Sequence, residues 1–130
     1  MRVGLFIPCY INQLYPQVGI ATLEVLEKLG VDVYYPSGQT CCGQPLGNSG
    51  YEEDAKGACQ VFVENFKEYD YIVGPSGSCI YHVKKHFDII EQTPDVINVR
   101  NNAFELCEFI VKILGITDLG ASFPYKVGLH

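Results

Sequence analysis

Apolar and polar positions along this chain alternate between two periods. Val3–Pro8 is a short unbroken apolar run of the length expected for a buried strand. From Pro16 to Leu29, Val18, Ala21, Val25, Leu26 and Leu29 recur at helical spacing, and Gly30 supplies a C-terminal cap. Val31–Tyr35 reads as a second strand, followed by a loop of turn formers over residues 36–50. Ser49 with Glu52 forms a capping box, and Glu53 and Asp54 complete an acidic first turn. The helix they open runs to about Glu68, with Ala55, Ala58, Cys59, Phe62, Val63 and Phe66 on its inner face.

Tyr71–Val73 is the core of a third strand, closed by Gly74-Pro75-Ser76-Gly77-Ser78. A helix starting near Cys79 is expected to bury Ile80, Val83, Phe87 and Ile90. Val96–Val99 reads as a weaker fourth strand. Asn102 then caps a last helix with Ala103, Leu106, Cys107, Ile110, Val111 and Leu114 inside and Gly115 at its end. Tyr125–His130 reads as the start of another strand, which predicts that the chain is one piece of a longer protein.

This alternation predicts an α/β fold: a parallel sheet of about four strands with helices on both faces, three layers in a Rossmann- or flavodoxin-like arrangement. The 130 residues suffice for one domain with a real core, and 48% of them are apolar. A net charge of -6 with no basic stripe makes nucleic acid and anionic membrane poor partners. No apolar run reaches the length of a secretory signal or a membrane span, which points to the cytoplasm. In that compartment six cysteines read as thiols or ligands rather than a disulfide framework.

Four of the six fall where strands run out. Cys9 follows the first strand, the adjacent pair Cys41-Cys42 lies in the loop after the second, and Cys79 follows the third at a helix start. Ligands of open parallel sheets bind beyond the carboxyl ends of the strands, and a helix N-terminus favours the thiolate that ligates metal. One sheet edge can therefore gather four thiols from three loops. Cys59 and Cys107 sit on apolar helix stripes and read as packing residues. His82 and His86, four apart, share a helix face that can bind zinc, but no third ligand follows. Both read first as solvated or capping residues.

Cys9, Cys41-Cys42-Gly43 and Cys79, with the stretches Cys-Cys-Gly-Gln-Pro (41–45), Asn-Ser-Gly-Tyr (48–51) and Pro-Ser-Gly-Ser-Cys (75–79), carry a resemblance that spans nearly the whole chain. The sequence resembles the cysteine-rich CCG domain found in heterodisulfide reductases and in the iron–sulfur components of glycolate oxidase and anaerobic glycerol-3-phosphate dehydrogenase. It looks most like the lactate-utilization members, which normally carry two such domains. The resemblance implies that residues 1–130 are a single CCG domain, the N-terminal half of a longer two-domain protein. It implies a [4Fe–4S] cluster held by Cys9, Cys41, Cys42 and Cys79, in a subunit that serves L-lactate oxidation and electron transfer. The implied partners are other subunits of that complex and the chain's own second domain; the apolar surface that a half-protein exposes predicts a second copy when the domain is isolated. The family's Cys-x-x-Cys is incomplete here: with Cys79 as its first cysteine, His82 stands in the second position, and with Cys79 as its second, Ser76 stands in the first. Whether His82 replaces the missing cysteine as a ligand stays open at the level of sequence. The competing class is a redox-inert zinc or metal-free module that only mediates assembly.

Other chemistries fail on particular residues. A phosphatase loop opened by Cys9 needs an arginine six residues on, where Tyr15 stands. Neither G-x-G-x-x-G nor a Walker loop occurs. No obvious acid–base pair for hydroxy-acid oxidation is present, which places the chemistry on lactate elsewhere in the parent complex.

Overall fold

Four short strands, β1 (Arg2–Leu5), β2 (Asp32–Tyr34), β3 (Tyr71–Gly74) and β4 (Ala103–Glu105), pair in parallel in the spatial order β2-β1-β3-β4. This is a computed structural model, and it describes residues 1–39 and 52–128. The helices are α1 (Cys9–Leu14), α2 (Pro16–Lys28), α3 (Glu52–Phe66), α4 (Gly77–His86), α5 (Pro94–Asn101) and α6 (Leu106–Lys112), with a 3-10 turn at Phe87–Ile89. No helix among the described residues is long and apolar enough to cross a membrane.

Strand alternation sends neighbouring side chains to opposite faces. Val3, Leu5 and Val73 point into a core closed by Ile11 of α1, Leu26 of α2 and Phe109 of α6. Phe6 and Ile72 point into the other, closed by α3, α4 and α5. The α/β sandwich expected from the alternation is thus the observed fold. Phe6, just past β1, meets Phe62 edge-on at 4.8 Å, and Phe62 meets Phe87 at 5.4 Å. These rings set the floor beneath the carboxyl end of the sheet.

Several elements differ from the sequence reading. Residues 96–99 are not a strand but part of α5. Thr93 Oγ1 accepts from the Val96 N–H at 3.3 Å and Pro94 occupies the first turn, so the local start signal outweighs the β-branched residues. The fourth strand comes later, at Ala103–Glu105, where Ala103 and Phe104 pair with Ile72 and Val73. The last helix is consequently capped by Glu105, whose carboxylate accepts from Cys107 and Glu108 N–H, and not by Asn102. That shift leaves Cys107 and Val111 exposed and buries Phe109 with Ile110.

In α2 the buried positions are Gly19, Thr22 and Leu26, while Val18 and Ala21 face solvent. Gly19 suits the close contact there, since a Cβ would sit 3.3 Å from the Ile7 side chain and press it aside. Helix α1 was not expected at all. Residues 125–128 form no strand. The Ser49 cap lies outside the described residues.

Gly74 faces the tightest constraint: a Cβ on it would lie 2.7 Å from the Phe6 carbonyl oxygen. Backbone cannot step aside as a side-chain tip can. Gly74→Ala should therefore destabilise the fold by about 1–3 kcal/mol, read as a lower urea midpoint at unchanged slope.

Candidate metal centre

The chain leaves β1 toward β2 on one side and leaves β3 toward β4 on the other. Connections beyond the carboxyl ends of β1 and β3 therefore diverge to opposite faces, and a crevice opens between them. Cys9 is the first residue of α1, just beyond β1, and Cys79 lies in the first turn of α4, just beyond β3. Adjacent parallel strands thus carry these two cysteines to one end of the sheet. Cys9 is half-buried, and Cys79 is only 3% exposed.

Ser76 ties the two sides together. Its Oγ accepts from the Cys79 N–H at 3.5 Å, capping α4, and from the Tyr10 hydroxyl at 2.8 Å. The residue next to Cys9 is thereby bonded to the cap that positions Cys79. Because α4 opens here, its N-terminal turn also favours negative charge near Cys79.

A second tie prepares the approach to the cysteine pair. Where β2 has ended, the Gln39 side chain continues the pairing to β1: Oε1 accepts from Ile7 N–H at 2.9 Å and Nε2 donates to the Leu5 carbonyl at 2.9 Å. Asn65 of α3 donates to the Gly38 carbonyl at 3.0 Å, holding the same turn from the other side. The chain is therefore fixed against the end of β1 two residues before Cys41. Cys41, Cys42 and Gly43 themselves lie outside the described residues.

The remaining sulfur and imidazole groups sort differently. Cys59 is fully buried in the same core as Phe62 and Phe66, as its helical stripe predicts. Cys107 is exposed at the start of α6, against the expectation of packing. Partial desolvation of its thiol against α6, though the residue is largely exposed, and then the Glu105 carboxylate push its pKa up, which disfavours a thiolate ligand. His86 is exposed, whereas His82 is 4% exposed rather than solvated, and its Nε2 has no hydrogen-bond partner among the described residues. Its position on the buried face of α4, beside Val83, overrides the polar character that suggested a surface residue.

Tyr10, Ser76 as a bridge, and Gln39 escaped the sequence reading. Only the Ser76 cap had a signal, a serine just before a helix start. Bonds across 66 and 32–34 residues leave no trace in local pattern. Among the described residues no group of three or more His, Cys, Asp or Glu side chains is placed to hold a metal ion. Of the cysteines expected at the site, the described residues place Cys9 and Cys79 beyond the same ends of adjacent strands.

Comparison with known proteins adds family evidence. Residues 3–84 match the model of the CCG cysteine-rich domain. Lactate utilization protein A of Oceanobacillus iheyensis is 42% identical over 134 residues, covering all of this chain and 55% of that protein. The protein of the same name from Bacillus subtilis is 40% identical over 134 residues, covering all of this chain and 56% of its own length. That of an Exiguobacterium species is 45% identical over 136 residues, covering 99% of this chain and 55% of its own. The chain therefore spans about half the length of the relatives it matches. No solved structure matches it.

Two outcomes follow from the geometry. Gln39→Ala should cost about 1–3 kcal/mol, because it strands the Ile7 N–H and Leu5 carbonyl. The Ile7 amide should then exchange with solvent measurably faster. The second outcome concerns pH. Burial first, then neighbouring His86, lowers the His82 pKa below its ordinary 6.5. A neutral ring preferred in the folded state gives stability that is full above the unfolded pKa and is lost as pH falls through the folded value. Metal-free protein should therefore lose stability as pH falls from the ordinary 6.5 through the lowered folded value, and His82→Met should flatten the loss in a denaturation series.

Proposed function

The chain belongs to the CCG cysteine-rich domain family, and from that premise we propose that it is the thiolate-bearing, electron-transferring domain of an iron–sulfur oxidoreductase subunit that serves L-lactate oxidation. The observation that carries this reading is the placement of Cys9 and Cys79 just beyond the carboxyl ends of the adjacent parallel strands β1 and β3, at one end of the sheet. The names of the relatives supply the link to lactate utilization.

The donors suit an iron–sulfur group. Thiolate sulfur is the standard ligand of a [4Fe–4S] cluster, and a site with Cys79 almost closed to water shields such a group. Cys9 and Cys79 would hold one side, with Cys41 and Cys42 completing the set. When bound, the cluster supplies one-electron acceptance and release. This chain's own residues do the positioning. Ser76 and Tyr10 lock the two helix starts together, and Gln39 with Asn65 anchors the turn leading to the cysteine pair.

The domain is proposed to form the N-terminal half of a two-domain protein working in the cytoplasm with other subunits, one of which binds lactate. An apolar groove of about 310 Å³ beside α2, lined by Leu5, Ile7, Pro16, Gly19, Ile20 and Leu23, supports docking of such a neighbour.

Anaerobic reconstitution tests the assignment. Protein assembled with iron and sulfide should bind about four of each and absorb broadly in the visible. Cys41→Ser with Cys42→Ser should abolish that signal. Cys59→Ala should cost of order 1 kcal/mol in stability while keeping the iron. One zinc per chain with no sulfide would instead establish the structural-metal class.

A further inference from the structure

We propose that the neighbour seated on the apolar groove beside α2 is a second copy of this chain, so that two domains pair through their α1 and α2 faces. This pairing needs no bound metal. Leu5, Ile7, Gly19 and Leu23 line the groove from within, and Ile20 and Tyr35 stand at its edge, 58% and 52% exposed. Where α1 gives way to α2, Leu14 and Tyr15 are 69% and 53% exposed. Large apolar side chains standing this far out on one face mark an association surface. They offer on the order of 500–700 Å² on each copy, and a specific interface needs about 1,000 Å² in all.

Charge decides what covers this face. From Val3 to Leu23 the chain holds no charged side chain and no histidine, although its net charge is -6. The exposed acids Glu64, Asp88, Glu91 and Asp95 lie on α3, the 3-10 turn and α5, which close the core on the other side of the sheet. A twofold axis lays a patch against its own copy, so a patch of a single sign repels itself. Two chains of charge -6 therefore meet at least cost where neither carries charge. The uncharged face gives a charged partner nothing to recognise. It suits its own copy, with Leu14 and Tyr15 of each chain turned toward the groove of the other.

Sedimentation velocity on the full chain, under reductant, tests this. With rising concentration the 14.5 kDa chain should convert to a species of twice that mass. Added sodium chloride should leave or tighten the pairing, since no ion pair holds it and the net charges are screened. Ile20→Glu and Leu14→Glu should each raise the dissociation constant about 100-fold or more, because an unpaired carboxylate would be buried on both copies. Ile97→Glu, on α5 across the sheet, should leave it unchanged. Hydrogen exchange on the unaltered chain reads the face even where a variant folds poorly: amides of residues 14–21 should exchange more slowly in concentrated than in dilute protein. A chain that stays monomeric at every concentration overturns the pairing. So does a dimer that neither Ile20→Glu nor Leu14→Glu weakens, or one whose added protection falls wholly outside α1, α2 and Tyr35.

Discussion

The carboxyl end of the sheet depends on how closely β1 and β3 approach at Phe6 and Gly74. The Phe6 N–H bonds the Val73 carbonyl at 2.9 Å, and the Phe6 carbonyl sits where a Cβ of residue 74 would be. Only glycine admits that approach without displacing one of the strands. Below it, Phe6 is held edge-on between Phe62 and Phe66, so the strand end cannot drift. Once these two strands are in register, the residues that follow them have little freedom. One chain turns into α1 at Cys9 and the other into α4 two residues before Cys79.

Precision beyond that register comes from polar side chains standing in for main chain. Gln39 continues the β2 side of the ladder after β2 has ended, and Ser76 both caps α4 and receives the Tyr10 hydroxyl. Both sets of bonds lie at least partly away from water, where an unmade bond is costly. They therefore act as locks on geometry, while the apolar core supplies most of the stability. A group held by thiolates from separate loops needs such locks, because each ligand arrives on an independent length of chain.

Much of the fold was legible in the sequence because hydrophobic period and turn chemistry agree there. The buried runs at β1 and β3, the Gly30 stop and the stripe of Cys59, Phe62, Val63 and Phe66 all point one way. Legibility failed where those signals conflict. Val96–Val99 carries β-branched residues behind a Thr-Pro helix start, and the start signal won. Gly19 and Thr22 form the close face of α2 but carry little hydrophobic weight, so the stripe was read one step aside. At the site, the strand-end positions of Cys9 and Cys79 were readable from order alone. The burial of His82 and the ties through Gln39 and Tyr10 were not, because they arise from contacts between segments far apart in sequence.

The central claim is that the crevice between β1 and β3 is the metal centre. Anomalous diffraction at the iron edge, on crystals of reconstituted protein grown without oxygen, tests it most directly. The account predicts one compact iron peak beyond the carboxyl ends of β1 and β3, with Cys9 and Cys79 sulfur both within bonding distance. Iron at the opposite end of the sheet, or held away from either of those cysteines, would contradict it.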